Sequence, residues 1–291
     1  MRRSPFRDLV ATLAVLVLVS GLALGVPHWR TEHALRGAGR LVTGSSSAAD
    51  PPGPASPSPS ASRPPLRVVA LGDSVPAGAN CGCTAYPSLV ATRLGAQQGR
   101  APQLHNLAQN GLTSDQMVQQ LADPATRSAV AASDLVIIEI GANDFDQNNA
   151  YDASCQPAAS SDCYASDLGH LRQTINRILS IVTSLQTAPN ARVVVLGYWN
   201  VFLDGDTGAS EGPTYVSGSA DLTGEVNAIL TAAAGSHHVL YADAHSPFDG
   251  PDGAGDATPY LTPDGDHPNA AGHRLLAQAV LASLGAEAAT V

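Results

Sequence analysis

The sequence predicts an α/β domain with a parallel sheet covered by helices on both faces. Two observations lead there. Short β-rich apolar runs alternate with helical patterns from about residue 66 onward, and no stretch repeats another. Strands that alternate with helices are joined by right-handed crossovers, which make neighbouring strands parallel.

The strand candidates are RVVAL (67–71), QLHNLA (103–108), DLVIIEIG (134–141), ARVVVLGYW (191–199) and HHVLYADA (237–244). Helices are expected at 86–94, 114–121, 167–186, 221–233 and 270–284. The third helix has the clearest pattern. Leu168, Leu171, Ile175, Ile178, Leu179 and Val182 recur at three- and four-residue spacings, and Asp167 is placed to cap its start.

The chain before the domain differs in composition. Residues 1–42 open with three arginines in MRRSPFR, followed by an apolar run from Leu9 to Val26. This is the pattern of a signal peptide or an uncleaved membrane anchor, with the remainder exported. Residues 43–65 form a Pro/Ser/Ala-rich linker, and residues 66–291 the folded domain. The expected location is therefore secreted or facing outward, tethered to the membrane if the leader stays.

The chain has no lysine, and from Leu66 onward eight arginines face 22 acidic residues. So acidic a domain repels nucleic acid and anionic membrane surfaces. Four cysteines, Cys81, Cys83, Cys155 and Cys163, suit an exported protein with two disulfides. Cys155 with Cys163 is the favoured pair, which leaves Cys81 with Cys83; crossed pairing is the alternative. The spacings do not match the paired C-x-x-C of a zinc site, and no metal or other cofactor is expected. The acidic stretch DFDQNN lacks the Gly and closing Glu of a complete calcium loop, and DGPDGAGD is rich in Gly and Asp without a full repeat.

Ligands of parallel α/β sheets bind beyond the carboxyl ends of the strands. The residues just past each strand are therefore informative. Gly72-Asp73-Ser74 comes after the first, Asn110-Gly111 after the second and Gly141-Ala142-Asn143-Asp144 after the third. Asp264, Asp266 and His267 precede the last helix. Each alone is ordinary turn or cap chemistry. Together they supply the parts of acyl transfer. Ser74 is a nucleophile, His267 a base and Asp264 the carboxylate that orients it. The Ser74 N–H, the Gly111 N–H and the Asn143 amide are oxyanion donors. Trp199 and Phe202, after the fourth strand, are candidates for a substrate-pocket wall. His245 is placed in a loop near the same edge, and His273 on a helix surface.

These four blocks, in order over residues 66–284, resemble the SGNH hydrolases, also called GDSL esterases/lipases. The resemblance implies a flavodoxin-like three-layer α/β/α sandwich with strand order 2-1-3-4-5. It also implies a metal-independent serine esterase using Ser74, Asp264 and His267, with Asp264 rather than Asp266 as the acid. No long apolar lid is inserted, which favours short acyl chains on a monomeric enzyme. The alternatives are an O-acetyl deacetylase of polysaccharide or cell wall, and a non-catalytic carbohydrate-binding module.

Overall fold

The structure is a computed structural model and describes residues 63–251 and 253–285. The expected leader and nearly all of the linker lie outside these residues. No helix among the described residues is long and apolar enough to cross a membrane.

Five strands form one sheet in the order β2-β1-β3-β4-β5, every pair parallel. They are β1 (Leu66–Gly72), β2 (Pro102–Asn106), β3 (Leu135–Glu139), β4 (Arg192–Leu196) and β5 (Leu240–Ala242). This is the expected fold and strand order. The helices are α1 (Ser74–Ala77), α2 (Tyr86–Gln98), α3 (Ser114–Gln120), α4 (Pro124–Ala131), α5 (Ala165–Leu185), α6 (Gly205–Ser210), α7 (Pro213–Ser236), α8 (His245–Asp249) and α9 (Ala270–Ser283).

Successive side chains of a strand point to opposite faces, and here both faces are apolar. Val69, Leu71, Val136 and Ile138 join one core with α5 and α7. Leu66, Val68, Leu135 and Ile137 join the other with α2 and α9. Burying each such Leu or Ile contributes about 1.5–3 kcal/mol. The edge strand β2 is mostly exposed.

Several local expectations differ from the structure. Helix α5 starts at Ala165, so Asp167 sits inside its first turn rather than at the cap. There it still favours the helix through the dipole. Helix α7 begins eight residues earlier than predicted, with Pro213 in its first turn and the small residues Gly218 and Ser219 buried. Those residues hid its apolar stripe. Helix α4 was not expected, although Asp123-Pro124 places a side-chain cap before a proline in its first turn. His273 is fully buried rather than on a surface, because α9 turns that face towards α2. Its Nδ1 accepts the otherwise free N–H of Tyr86 at the start of α2, 3.3 Å away.

The Cys155 and Cys163 sulfurs stand at bonding distance, 2.00 Å, across the segment between β3 and α5. The Cys81 and Cys83 sulfurs meet each other in the loop between α1 and α2.

Candidate active site

The segments carrying Ser74, Gly111 and Asn143 follow β1, β2 and β3, and the one carrying Asp264 and His267 precedes α9. At the end of β1 the chain must turn sharply. Gly72 takes φ 152°, and a Cβ there would run into the carbonyl of Glu139 on the neighbouring strand. Asp73 comes next as the cap of α1, its Oδ1 accepting from the Val75 N–H at 3.1 Å. Its Oδ2 accepts from the Tyr198 hydroxyl. Burial pushes the Asp73 carboxyl up to about 6 against the pull of these two bonds. Ser74 is thus the first residue of α1. Its N–H and its hydroxyl engage no other group among the described residues.

Beneath this turn lies a second buried acid. Glu139 is fully buried, and neither of its carboxyl oxygens has an aligned hydrogen bond. Burial first, and then the charge of Asp73, push its carboxyl far above the ordinary 4.5, despite the nearby Tyr86 hydroxyl. The folded protein therefore keeps a proton that the unfolded chain releases. This group stabilises the fold below pH 4.5, and that stability is lost as pH rises towards the folded value, by at most about 1.4 kcal/mol per pH unit. Glutamine mimics the protonated acid. Glu139→Gln is expected to match the parent in urea midpoint near pH 4.5 and to exceed it by a margin that grows as pH rises from there. A gap that does not change with pH would contradict the assignment.

The loop before α9 is built around one carboxylate. Asp264 Oδ1 accepts from Thr262 Oγ1 at 2.6 Å and from the N–H groups of Asp266 and His267, each at 3.0 Å. Its Oδ2 accepts from His267 Nδ1 at 2.9 Å and from Asn80 Nδ2 at 2.8 Å. Burial would raise the Asp264 carboxyl, yet these donors together hold it well below the usual range. Asp266 Oδ2 lies farther from Nδ1, at 3.5 Å. With Nδ1 occupied, the nitrogen left to act as a base is Nε2 of His267.

After β3, Gly141 and a 3-10 turn at Ala142–Asp144 carry Asn143. Asp144 anchors the turn by accepting from the Ser114 N–H and hydroxyl at the start of α3. Asn143 Nδ2 donates one proton to the Leu112 carbonyl at 3.1 Å, which leaves its second N–H available. Gly111, one residue before Leu112, has φ 72° and an N–H with no partner among the described residues.

Ser74 and Asn143 line one cavity of about 210 Å³ together with Phe145, Gln147, Trp199, Asn200, Phe202 and Asp266. His267 comes directly after Asp266 in the chain. Gly111 instead borders a neighbouring depression with Asn110 and Gln116. Trp199 and Phe202 are both in the cavity wall, though Trp199 is almost wholly buried and stacks on Phe248 at 4.7 Å. His245 makes a loop contact, its N–H donating to Asp243 at 2.9 Å. The sequence pointed to neither Asn80 nor Tyr198. Nothing in the order of residues marks Asn80, which lies 184 positions from the carboxylate it meets.

A family model of GDSL-like lipases/acylhydrolases matches residues 70–275, and its span includes Ser74, Asn143 and His267. The chain belongs to the GDSL-like Lipase/Acylhydrolase family. Members of this GDSL family are ester hydrolases, and this chain is a carboxylic ester hydrolase. Solved structures share its fold. A lipase from a goat rumen metagenome has 15% identity and a TM-score of 0.59, covering 77% of this chain and 100% of its own. An α/β hydrolase from the metagenome of Lake Arreo, Spain, has 19% identity and a TM-score of 0.52, covering 75% of this chain and 94% of its own. A catalytic mutant of an acetylxylan esterase from Geobacillus stearothermophilus has 19% identity and a TM-score of 0.53, covering 77% and 96%. Among curated proteins, none matches the sequence.

Proposed function

We propose that this GDSL-family protein is an exported serine esterase that cleaves short-chain carboxylic esters through a Ser74–His267–Asp264 triad. The observation that carries the reading is that His267 is held on Asp264 through Nδ1, beside a cavity into which Ser74 and Asn143 face. In the first step Ser74 Oγ attacks the ester carbonyl while His267 Nε2 takes its proton. The carbonyl oxygen becomes an oxyanion, stabilised by the Ser74 N–H, the Asn143 amide and the Gly111 N–H. Collapse expels the alcohol, which receives the proton from His267. Water, deprotonated by the same nitrogen, then attacks the acyl-enzyme and releases the acid and Ser74. Asp264 holds the imidazole in place and stabilises its charged form.

The preference for short acyl groups rests on space. The cavity is small, about 210 Å³. That suits acetyl to butyryl better than a long chain. Gln147, Asn200 and Asp266 make its wall polar, which favours a second reading on the same chemistry: removal of O-acetyl groups from a polysaccharide. Export rests on the arginine-rich apolar leader and the Pro/Ser/Ala linker.

The test compares hydrolysis of p-nitrophenyl acetate, butyrate and octanoate, with and without a chelator, and of acetylated xylan. Chelator-insensitive activity highest on acetate supports the reading. Activity highest on octanoate overturns the short-chain preference. Activity on acetylated xylan far above that on the small esters makes the deacetylase reading the better one.

A further inference from the structure

Five hydrogen bonds converge on the Asp264 carboxylate, and four of them come from its own loop, residues 262–267. The fifth is from Asn80, in the loop that leaves the nucleophile's helix. That loop is tightly bound to the nucleophile. The Ala79 N–H donates to the Ser74 carbonyl at 3.0 Å, and Asn80 is the next residue. Asn80 thus links the segment carrying Ser74 to the segment carrying Asp264 and His267. Its amide nitrogen stands 2.8 Å from Asp264 Oδ2 and 3.3 Å from His267 Nδ1. Oδ2 is the oxygen that His267 also uses.

The backbone is suited to this task. Asn80 has φ 55°, in the left-handed region that costs most side chains roughly 1 kcal/mol and that asparagine tolerates. It sits between Gly78 and Gly82, which also take positive φ, and directly before the Cys81–Cys83 pair.

We propose that Asn80 is a positioning residue of the esterase: its amide donates to Asp264 Oδ2 and so fixes the acid–base pair relative to the nucleophile. The inference rests on the triad proposed above. Two consequences separate it from a mere turn residue. The link sets the distance over which Ser74 hands its proton to His267, so its loss slows turnover while leaving substrate binding largely intact. The amide also presents the positive end of its dipole to the imidazole and shares the carboxylate's charge. Its removal therefore makes the protonated form of His267 easier to reach. The groups that face His267 are Asp264 and Asp266 from its own loop, Asp73 from the β1–α1 turn and His273 from α9. All four remain when only Asn80 is replaced.

The decisive variant is Asn80→Gly, because glycine keeps the left-handed backbone and removes only the amide. We expect kcat on p-nitrophenyl acetate to fall about tenfold with KM changed less than twofold. The acid limb of the kcat/KM–pH profile should move up. Asn80→Asp keeps the shape but sets a second carboxylate against Asp264. Its loss should exceed that of Asn80→Gly. A Gly variant with parental kcat and acid limb, or one altered only in KM, overturns the proposal. If the parent protein hydrolyses no ester, the triad reading fails separately. The His267 imidazole is then titrated by NMR in parent and Asn80→Gly: an upward shift upholds the link between Asn80 and the Asp264–His267 pair, and an unchanged midpoint sinks it.

Discussion

Replacing Ser74 by alanine is expected to lower kcat on p-nitrophenyl acetate at least about 10,000-fold while leaving the fold intact. The two halves of this expectation have different causes. The hydroxyl makes no hydrogen bond among the described residues, so its removal leaves no buried partner unsatisfied. The stability change should stay within about 0.5 kcal/mol, as for substitutions that break no network. The large loss of rate follows from the nucleophilic role proposed for Ser74. His267→Ala should cost about as much. The double variant should then lose little more, since nucleophile and base act as one unit. The check is steady-state hydrolysis beside thermal melting. Residual activity in Ser74→Ala within tenfold of the parent would mean that another residue attacks.

Asn143→Ala is expected to lower kcat about 100- to 1,000-fold with little change in KM. An oxyanion donor acts on charge that exists only in the transition state, so substrate binding does not use it. The Asn143 amide has two protons and the Leu112 carbonyl takes one. That bond leaves the second available and ties the loop after β3 to the loop after β2. Alanine loses the donor and the tie together. Asn143→Asp separates them: it keeps the size but replaces the donor by a negative charge, so it should be slower than alanine. A change confined to KM in either variant would assign Asn143 to substrate binding instead.

The fold was legible because its determinants are local and periodic. Runs such as Val68–Leu71 and Leu135–Ile140 are buried on both faces of the sheet, and a parallel interior strand has no wet face to interrupt the pattern. Helix α5 was legible because its stripe is made of large aliphatic residues. Helix α7 was only partly so, because Gly218 and Ser219 fill its tightest contacts and weaken the apolar period.

Family membership was also legible, since Ser74, Asn143 and His267 occur in short blocks with turn residues that each strand end requires. The order of residues could not show whatever depends on which loops meet. Asn80 and Asp264 come together because β1 is an interior strand of the sheet, and only the folded chain brings its loop against the segment before α9. His273 looks like a surface histidine until the packing of α9 on α2 buries it against the Tyr86 N–H. Glu139 reads as one polar residue at the end of an apolar strand, and only burial in the closed core and then the neighbouring Asp73 push its carboxyl above the ordinary range. Residue order set the strands, the helices and the chemical types at the sheet's edge, because backbone periodicity and turn chemistry act between near neighbours. Folding in three dimensions settled which donors share the Asp264 carboxylate and which acids are buried, because desolvation and cross-loop hydrogen bonds depend on distances in space.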